Sequence, residues 1–221
     1  MHNVVNNLLS IENELKIKIK KLNLVNYNPN IIAVSKTFSI KDIDPLINHG
    51  HIHFGENKVQ EAVEKWTDIK NDFKNIKLHM IGKLQTNKVK HVIPLFDYIH
   101  SVDNLKLAEK ISKEQIKKNK IMKLFIQINI GNEKQKNGIL VEDLDNFYST
   151  CTQDLGLKII GLMCLPPYEK KSSIYFYKMQ QLAKKFQLKE ISMGMSSDSL
   201  DATNYQATYL RIGSKIFGER N

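Results

Sequence analysis

The 221-residue sequence predicts a single α/β domain, a (β/α)8 barrel of the TIM type with an extra N-terminal helix. Three observations carry that expectation. Eight short runs rich in Ile, Leu, Val, Phe and Met alternate with longer amphipathic stretches. No Pro-, Gly- or Ser-rich linker and no low-complexity segment interrupts them, so residues 1–221 read as one domain. Residues with chemically useful side chains follow the ends of the runs, which is where such barrels carry their sites. A doubly wound open sheet with fewer strands is the competing arrangement, because periodicity does not count strands.

The elements follow in order. Residues 1–25 form the extra helix, with Leu8, Ile11, Leu15 and Leu22 as its apolar stripe over 4–24. The barrel occupies 31–218, its strands expected at 31–35, 51–55, 78–82, 98–102, 123–130, 158–165, 190–195 and 209–213. Those runs are of strand length and mostly Ile, Leu, Val, Phe or Met, as expected for strands covered on both faces. Amphipathic helices are expected over 57–70, 104–118, 141–151 and 172–186.

At 42% hydrophobic, the chain has the apolar content for a core, which excludes a disordered or collagen-like polymer. No run approaches the ~18 apolar residues of a membrane span, and residues 1–10 contain no signal-peptide core. A cytoplasmic protein without a membrane partner is expected. Cys151 and Cys164 are too few and too far apart for a disulfide framework or a CxxC pair. The net charge of +10 comes from lysine: of 33 basic residues only Arg211 and Arg220 are arginines. The lysines are spread along the chain, and Lys16, Lys18, Lys20 and Lys21 look like a solvated helix flank. A nucleic-acid binder concentrates its charge on one stripe, so no nucleic-acid partner is expected. Where lysine is the default cation, an arginine at 211 suggests a need for its planar, permanently charged fork.

Lys36 directly follows Ile31-Ile32-Ala33-Val34-Ser35. A lysine there either opens a solvated loop or, partly desolvated at a strand mouth, offers a neutral amine that attacks a carbonyl as a Schiff-base nucleophile. Ser192-Met193-Gly194-Met195-Ser196-Ser197-Asp198 and Arg211-Ile212-Gly213-Ser214 each read as a strand end, a turn of small residues and a helix start. They are either ordinary caps and turns or an anion cradle after strands seven and eight, where barrels often hold phosphate. A lysine facing such a cradle suits a phosphate-bearing aldehyde, the shape of pyridoxal phosphate. His49, His51 and His53 lie close together but lack a placed carboxylate, so no metal site is expected. No HExxH, GxSxG, Walker A or GxGxxG pattern occurs.

The order of these blocks resembles the pyridoxal phosphate homeostasis proteins, whose fold is similar to the N-terminal barrel of alanine racemase (fold type III). The blocks are Ala33-Val34-Ser35-Lys36-Thr37, Phe54-Gly55-Glu56-Asn57 with Val59-Gln60-Glu61, His79-Met80-Ile81-Gly82 with Leu84-Gln85-Thr86-Asn87-Lys88, His100-Ser101-Val102-Asp103, Gln127-Ile128-Asn129, Gly161-Leu162-Met163, and the two C-terminal segments, followed by Phe217-Gly218. The resemblance implies that Lys36 carries pyridoxal phosphate as a Schiff base. It implies that Ser196, Gly213 and Ser214 hold the phosphate, that Arg211 faces the pyridine nitrogen and that Asn57 lies near the ring. Ser214 stands where threonine is common, and Lys58 and Lys83 replace a frequent aromatic and a frequent proline at the pocket rim.

An arginine at the ring nitrogen keeps that nitrogen unprotonated and weakens the ring as an electron sink. The resemblance further implies that alanine racemases add a tyrosine from a second domain, which this sequence is expected to lack. The function expected is a monomeric protein that holds the cofactor for vitamin B6 homeostasis and passes it to recipient apo-enzymes, without robust catalysis. A racemase-like amino-acid enzyme is the alternative.

Overall fold

The computed structural model describes residues 3–167 and 171–219. Eight strands close into a parallel barrel in chain order: β1 (Asn30–Val34), β2 (His53–Glu56), β3 (Lys77–Met80), β4 (Tyr98–Val102), β5 (Lys123–Ile128), β6 (Ile159–Cys164), β7 (Glu190–Ser192) and β8 (Tyr209–Ile212). Closure runs through β8 and β1, where Ile32 pairs with Arg211 and Ala33 with Ile212. The open doubly wound sheet is thereby excluded. The helices are α1 (Asn3–Lys21), α2 (Ile40–Asn48), α3 (Val59–Asp72), α4 (Val89–Leu95), α5 (Leu105–Lys118), α6 (Leu144–Ser149), α7 (Ser172–Lys185), α8 (Ser199–Thr203) and α9 (Ser214–Phe217).

Two apolar cores follow from the closed sheet. The larger lies between the strands and the helices and includes Phe54, Trp66, Phe96, Ile99 and Phe176. The smaller, of Ile32, Tyr98, Phe125, Met163 and Tyr209, fills the barrel itself. The helix after the last strand, α9, has only four residues. Helix α1 packs against α9, α8 and α2, and Asn7 Nδ2 donates to the Ile216 carbonyl at 2.9 Å. The extra helix thus covers the part of the outer ring that α9 is too short to fill.

The boundaries depart from the sequence reading for local reasons. Helix α1 ends at Lys21, so Leu22 falls in a turn and is only half-buried, and Asn23 takes a positive φ of 52°. The second strand begins at His53 rather than 51, because the His51 N–H is spent on the Leu46 carbonyl at the end of α2. Strand β7 has three residues, since Gly194 leaves the extended region with φ 87°. The stretch expected as a helix over 141–151 is α6 flanked by a 3-10 turn and then a π turn that runs to Asp154. Arg220 lies outside the described residues.

Candidate functional site

Beyond Val34, three residues carry the chain away from the barrel mouth, and two of them are anchored to α3. The Ser35 hydroxyl donates to Glu56 Oε1 at 2.8 Å, and its carbonyl accepts from Lys65 Nζ at 2.9 Å. The Thr37 N–H donates to Glu61 Oε1 at 2.6 Å. Lys65 joins the two carboxylates, and Trp66 Nε1 donates to Glu56 Oε1 at 2.9 Å. Burial works against the Glu61 carboxylate, but the Thr37 N–H and Lys65 outweigh it and hold its pKa below the usual value. Thr37 has a φ of 69°, a costly conformation for a β-branched residue. The anchored neighbours impose it, and Lys36 is fixed between them.

On the neighbouring strand, Arg211 of β8 is 4% exposed. Its Nη1 donates to Ser192 Oγ at 2.6 Å and its Nη2 to the Cys164 carbonyl at 2.8 Å. Burial lowers its pKa, yet a guanidinium stays charged. Burial also pushes the neighbouring Cys164 thiol up to about 12, consistent with a core residue rather than a nucleophile.

The loop after β7 is tied down by Asp198, which accepts the Met195 N–H at 2.7 Å and the Ser172 hydroxyl at 2.8 Å. That directs Ser196 toward the start of α9, where its Oγ accepts the N–H groups of Gly213 and Lys215 at 3.2 and 3.4 Å. Asn57, just past β2, is set by Gly82. A Cβ on Gly82 would stand 2.3 Å from the Asn57 carbonyl oxygen, so the two loops approach only because residue 82 has no side chain.

All six residues singled out in the sequence, Lys36, Asn57, Ser196, Arg211, Gly213 and Ser214, line one cavity of about 910 Å³ at the C-terminal mouth. Ser101, inside β4, and Asp103 and Asn129, just past β4 and β5, do not line it. Asn129 instead folds its own loop through Glu133. Two features fit a bound polar ligand. Asn57 Oδ1 is buried without a hydrogen-bond partner. A Cβ on Gly213 would meet Val34 only at an ordinary 3.5 Å, so protein packing does not demand the glycine, and its bare backbone leaves the cavity wall open.

The sequence reading had Glu61 in a family block but missed Lys65 and their pairing, although the i,i+4 spacing on a helix was readable. It also missed His79 and His100 as a pair, since only the closed barrel brings β3 and β4 side chains inward together. Among the described residues no cluster of three metal-ligating side chains forms. His53 bonds His79 instead.

The family model of the alanine racemase N-terminal domain matches residues 13–221. A pyridoxal phosphate homeostasis protein of Aquifex aeolicus is 36% identical over 199 residues, which is 86% of each chain. One of Escherichia coli K12 is 30% identical over 230 residues, covering 100% of this chain and 98% of that one. This chain belongs to the pyridoxal phosphate homeostasis protein family. PipY of Synechococcus elongatus, solved with pyridoxal phosphate bound, superposes with a TM-score of 0.80 at 31% identity, over 92% of this chain and all of PipY. The alanine racemase of Corynebacterium glutamicum shares the barrel, with a TM-score of 0.65 at 14% identity, over 94% of this chain and 60% of the racemase.

Proposed function

We propose that this protein holds pyridoxal phosphate at the barrel mouth as a Schiff base on Lys36 and releases it to recipient apo-enzymes, with no robust turnover of its own. The observation that carries the reading is that one cavity gathers a lysine amine, a permanent cation and a cradle of hydroxyl and N–H donors. In this reading Ser196, Gly213 and Ser214 take the phosphate, and Arg211 donates toward the ring nitrogen. Asn57 Oδ1, an acceptor without a partner, takes a proton donor of the ligand. When bound, the cofactor supplies an electrophilic carbonyl and an electron-withdrawing ring.

The lining also supports weak catalysis. Among the described residues that line the cavity there is no Tyr, His or Cys, and Glu219 is the one carboxylate. Proton transfer at carbon needs a positioned acid or base. A guanidinium donates to a ring nitrogen and cannot accept from it, so the ring stays a poor electron sink.

The test is reduction of the cofactor-loaded protein with borohydride, followed by peptide mapping. The reduced adduct is expected on Lys36 and absent from Lys36→Ala, which stays folded because residue 36 is outside the core. An adduct of equal yield in the variant overturns the Lys36 assignment. Rapid exchange of amino-acid α-protons with deuterated water by the wild type replaces the carrier reading with the enzyme one.

A further inference from the structure

Beneath Arg211, a row of polar groups crosses the barrel from mouth to floor. Arg211 Nη1 lies 2.6 Å from Ser192 Oγ, and Ser192 Oγ lies 2.9 Å from His100 Nδ1. His100 Nε2 is 2.9 Å from His79 Nδ1, and His79 Nε2 is 2.9 Å from His53 Nδ1. Ser192, His100 and His79 are fully buried, while His53, the first residue of β2, is half-buried at the floor. Two rings are clamped in plane: His79 stacks on Tyr98 and His100 on Phe125, each with centroids 4.2 Å apart.

The row has one saturated proton arrangement. A guanidinium only donates, so Ser192 Oγ accepts from Arg211 and its own proton goes to His100 Nδ1. His100 must then donate from Nε2 to His79 Nδ1, and His79 from Nε2 to His53 Nδ1. In the reverse order His100 and Arg211 both donate to Ser192, and the serine proton is left buried with no acceptor, which is costly. Charged imidazoles are also opposed: burial, and then neighbouring positive groups, hold the pKa of His79 and His100 well below the ordinary histidine value. The row cannot deliver a proton to the mouth, because it ends on a group that does not exchange protons at working pH.

We propose that His100 and Ser192 are positioning residues for Arg211: they hold its guanidinium at one angle to the cavity, and Arg211 in turn fixes the imidazole protons on Nε2. That this angle serves the ring nitrogen of the cofactor rests on the proposed function; that the guanidinium is held does not.

The experiment uses full-length protein labelled with 15N-histidine and 15N-arginine, at neutral pH and without cofactor. Long-range 1H–15N spectra are expected to place the proton on Nε2 of His79 and His100, with Arg211 giving two separate Nη signals. In Ser192→Ala the Nη signals are expected to merge as the guanidinium rotates, and His100 to become a mixture of tautomers. Ser192→Thr is expected to restore both, and Ser192→Cys, a near-isosteric weak acceptor, replaces the alanine variant if that one does not fold. A proton on Nδ1 of His79 or His100 in the wild type, or separate Nη signals in Ser192→Ala, overturns the proposal. With ligand, the dissociation constant of pyridoxal phosphate is expected to rise about tenfold in Ser192→Ala, and that of inorganic phosphate to stay the same. An unchanged pyridoxal phosphate constant beside merged Nη signals overturns the positioning role. Failure of the wild type to bind pyridoxal phosphate at all defeats the proposed function and leaves the spectra to decide the row.

Discussion

Lys65 Nζ lies 3.0 Å from Glu56 Oε1, and both side chains are almost wholly buried beside the Lys36 loop. Removing one partner of a buried pair leaves an uncompensated charge, at a cost of about 3–5 kcal/mol. Glu56 keeps the Ser35 hydroxyl and Trp66 Nε1, so Lys65→Met is expected at the lower end, a loss of about 3 kcal/mol. Urea denaturation measures it. Borohydride trapping on Lys36 should also slow, because the Ser35 carbonyl and Glu61 lose their common tether. A loss under about 1 kcal/mol would mean that the remaining donors suffice for Glu56.

How far the site was legible from sequence depends on which residues share a loop. Lys36, Gly213 and Ser214 each follow an apolar run directly, and a barrel forces such positions to one mouth. Ser192 acts through Arg211 and His100, 19 and 92 residues away, and Lys65 reaches the Ser35 carbonyl 30 residues back, none of which a local pattern shows. The apolar runs pointed to a barrel but left an open sheet in play, and only the pairing of β8 with β1 decides between them. Helices α2 and α4 were not among the helices expected, since Pro45 and Pro94 sit inside them and weaken the helical signal.

Thr37 stores strain that a glycine would relieve. A non-glycine residue at positive φ costs on the order of 1–3 kcal/mol, part of which is offset by the greater freedom of glycine in the unfolded chain. Thr37→Gly is expected to raise stability by about 1 kcal/mol while leaving the Glu61 bond to the main-chain N–H intact. Thermal melts of the two proteins decide it. A lower melting temperature would show that the threonine side chain contributes more than its backbone costs.

Ser196 and Ser214 should not respond alike to loss of their hydroxyls. Ser196 Oγ occupies the N–H groups of Gly213 and Lys215, so Ser196→Ala loses a donor but frees two others for an anion. Ser214 is exposed at the start of α9, and Ser214→Ala loses a donor with no such return. The affinity for pyridoxal phosphate is therefore expected to fall about tenfold in Ser214→Ala and less in Ser196→Ala. Pyridoxal without phosphate serves as the control in the same titration and should ignore both changes. Equal losses for the two ligands would place the phosphate elsewhere.

Stability should fall steeply as pH drops below the ordinary histidine range. Burial, with smaller contributions from neighbouring groups, pushes His51 and His53 down to about 4 and holds His79 and His100 well below the ordinary histidine value. In the unfolded chain each titrates near 6.5. Above about pH 7 both states are neutral at these sites, and stability is flat with respect to them. From about 6.5 down to 4 the unfolded state binds more protons than the folded one, so acidification favours unfolding. Each such histidine contributes a slope approaching 1.4 kcal/mol per pH unit, about the value of one proton. The lowered carboxylate of Glu61 adds a loss in the same direction only at lower pH, and the raised carboxyl of Asp103, desolvated by burial, opposes it there. The window between pH 5 and 6.5 thus reports mainly on the histidines. Urea denaturation at pH 5, 6, 7 and 8 should give nearly equal midpoints at the upper two values and a sharp drop below them. A midpoint that stays constant down to pH 5 would mean that the folded rings take up protons as readily as the unfolded ones, so that the one-way row from Arg211 to His53 breaks over that range and survives only near neutral pH.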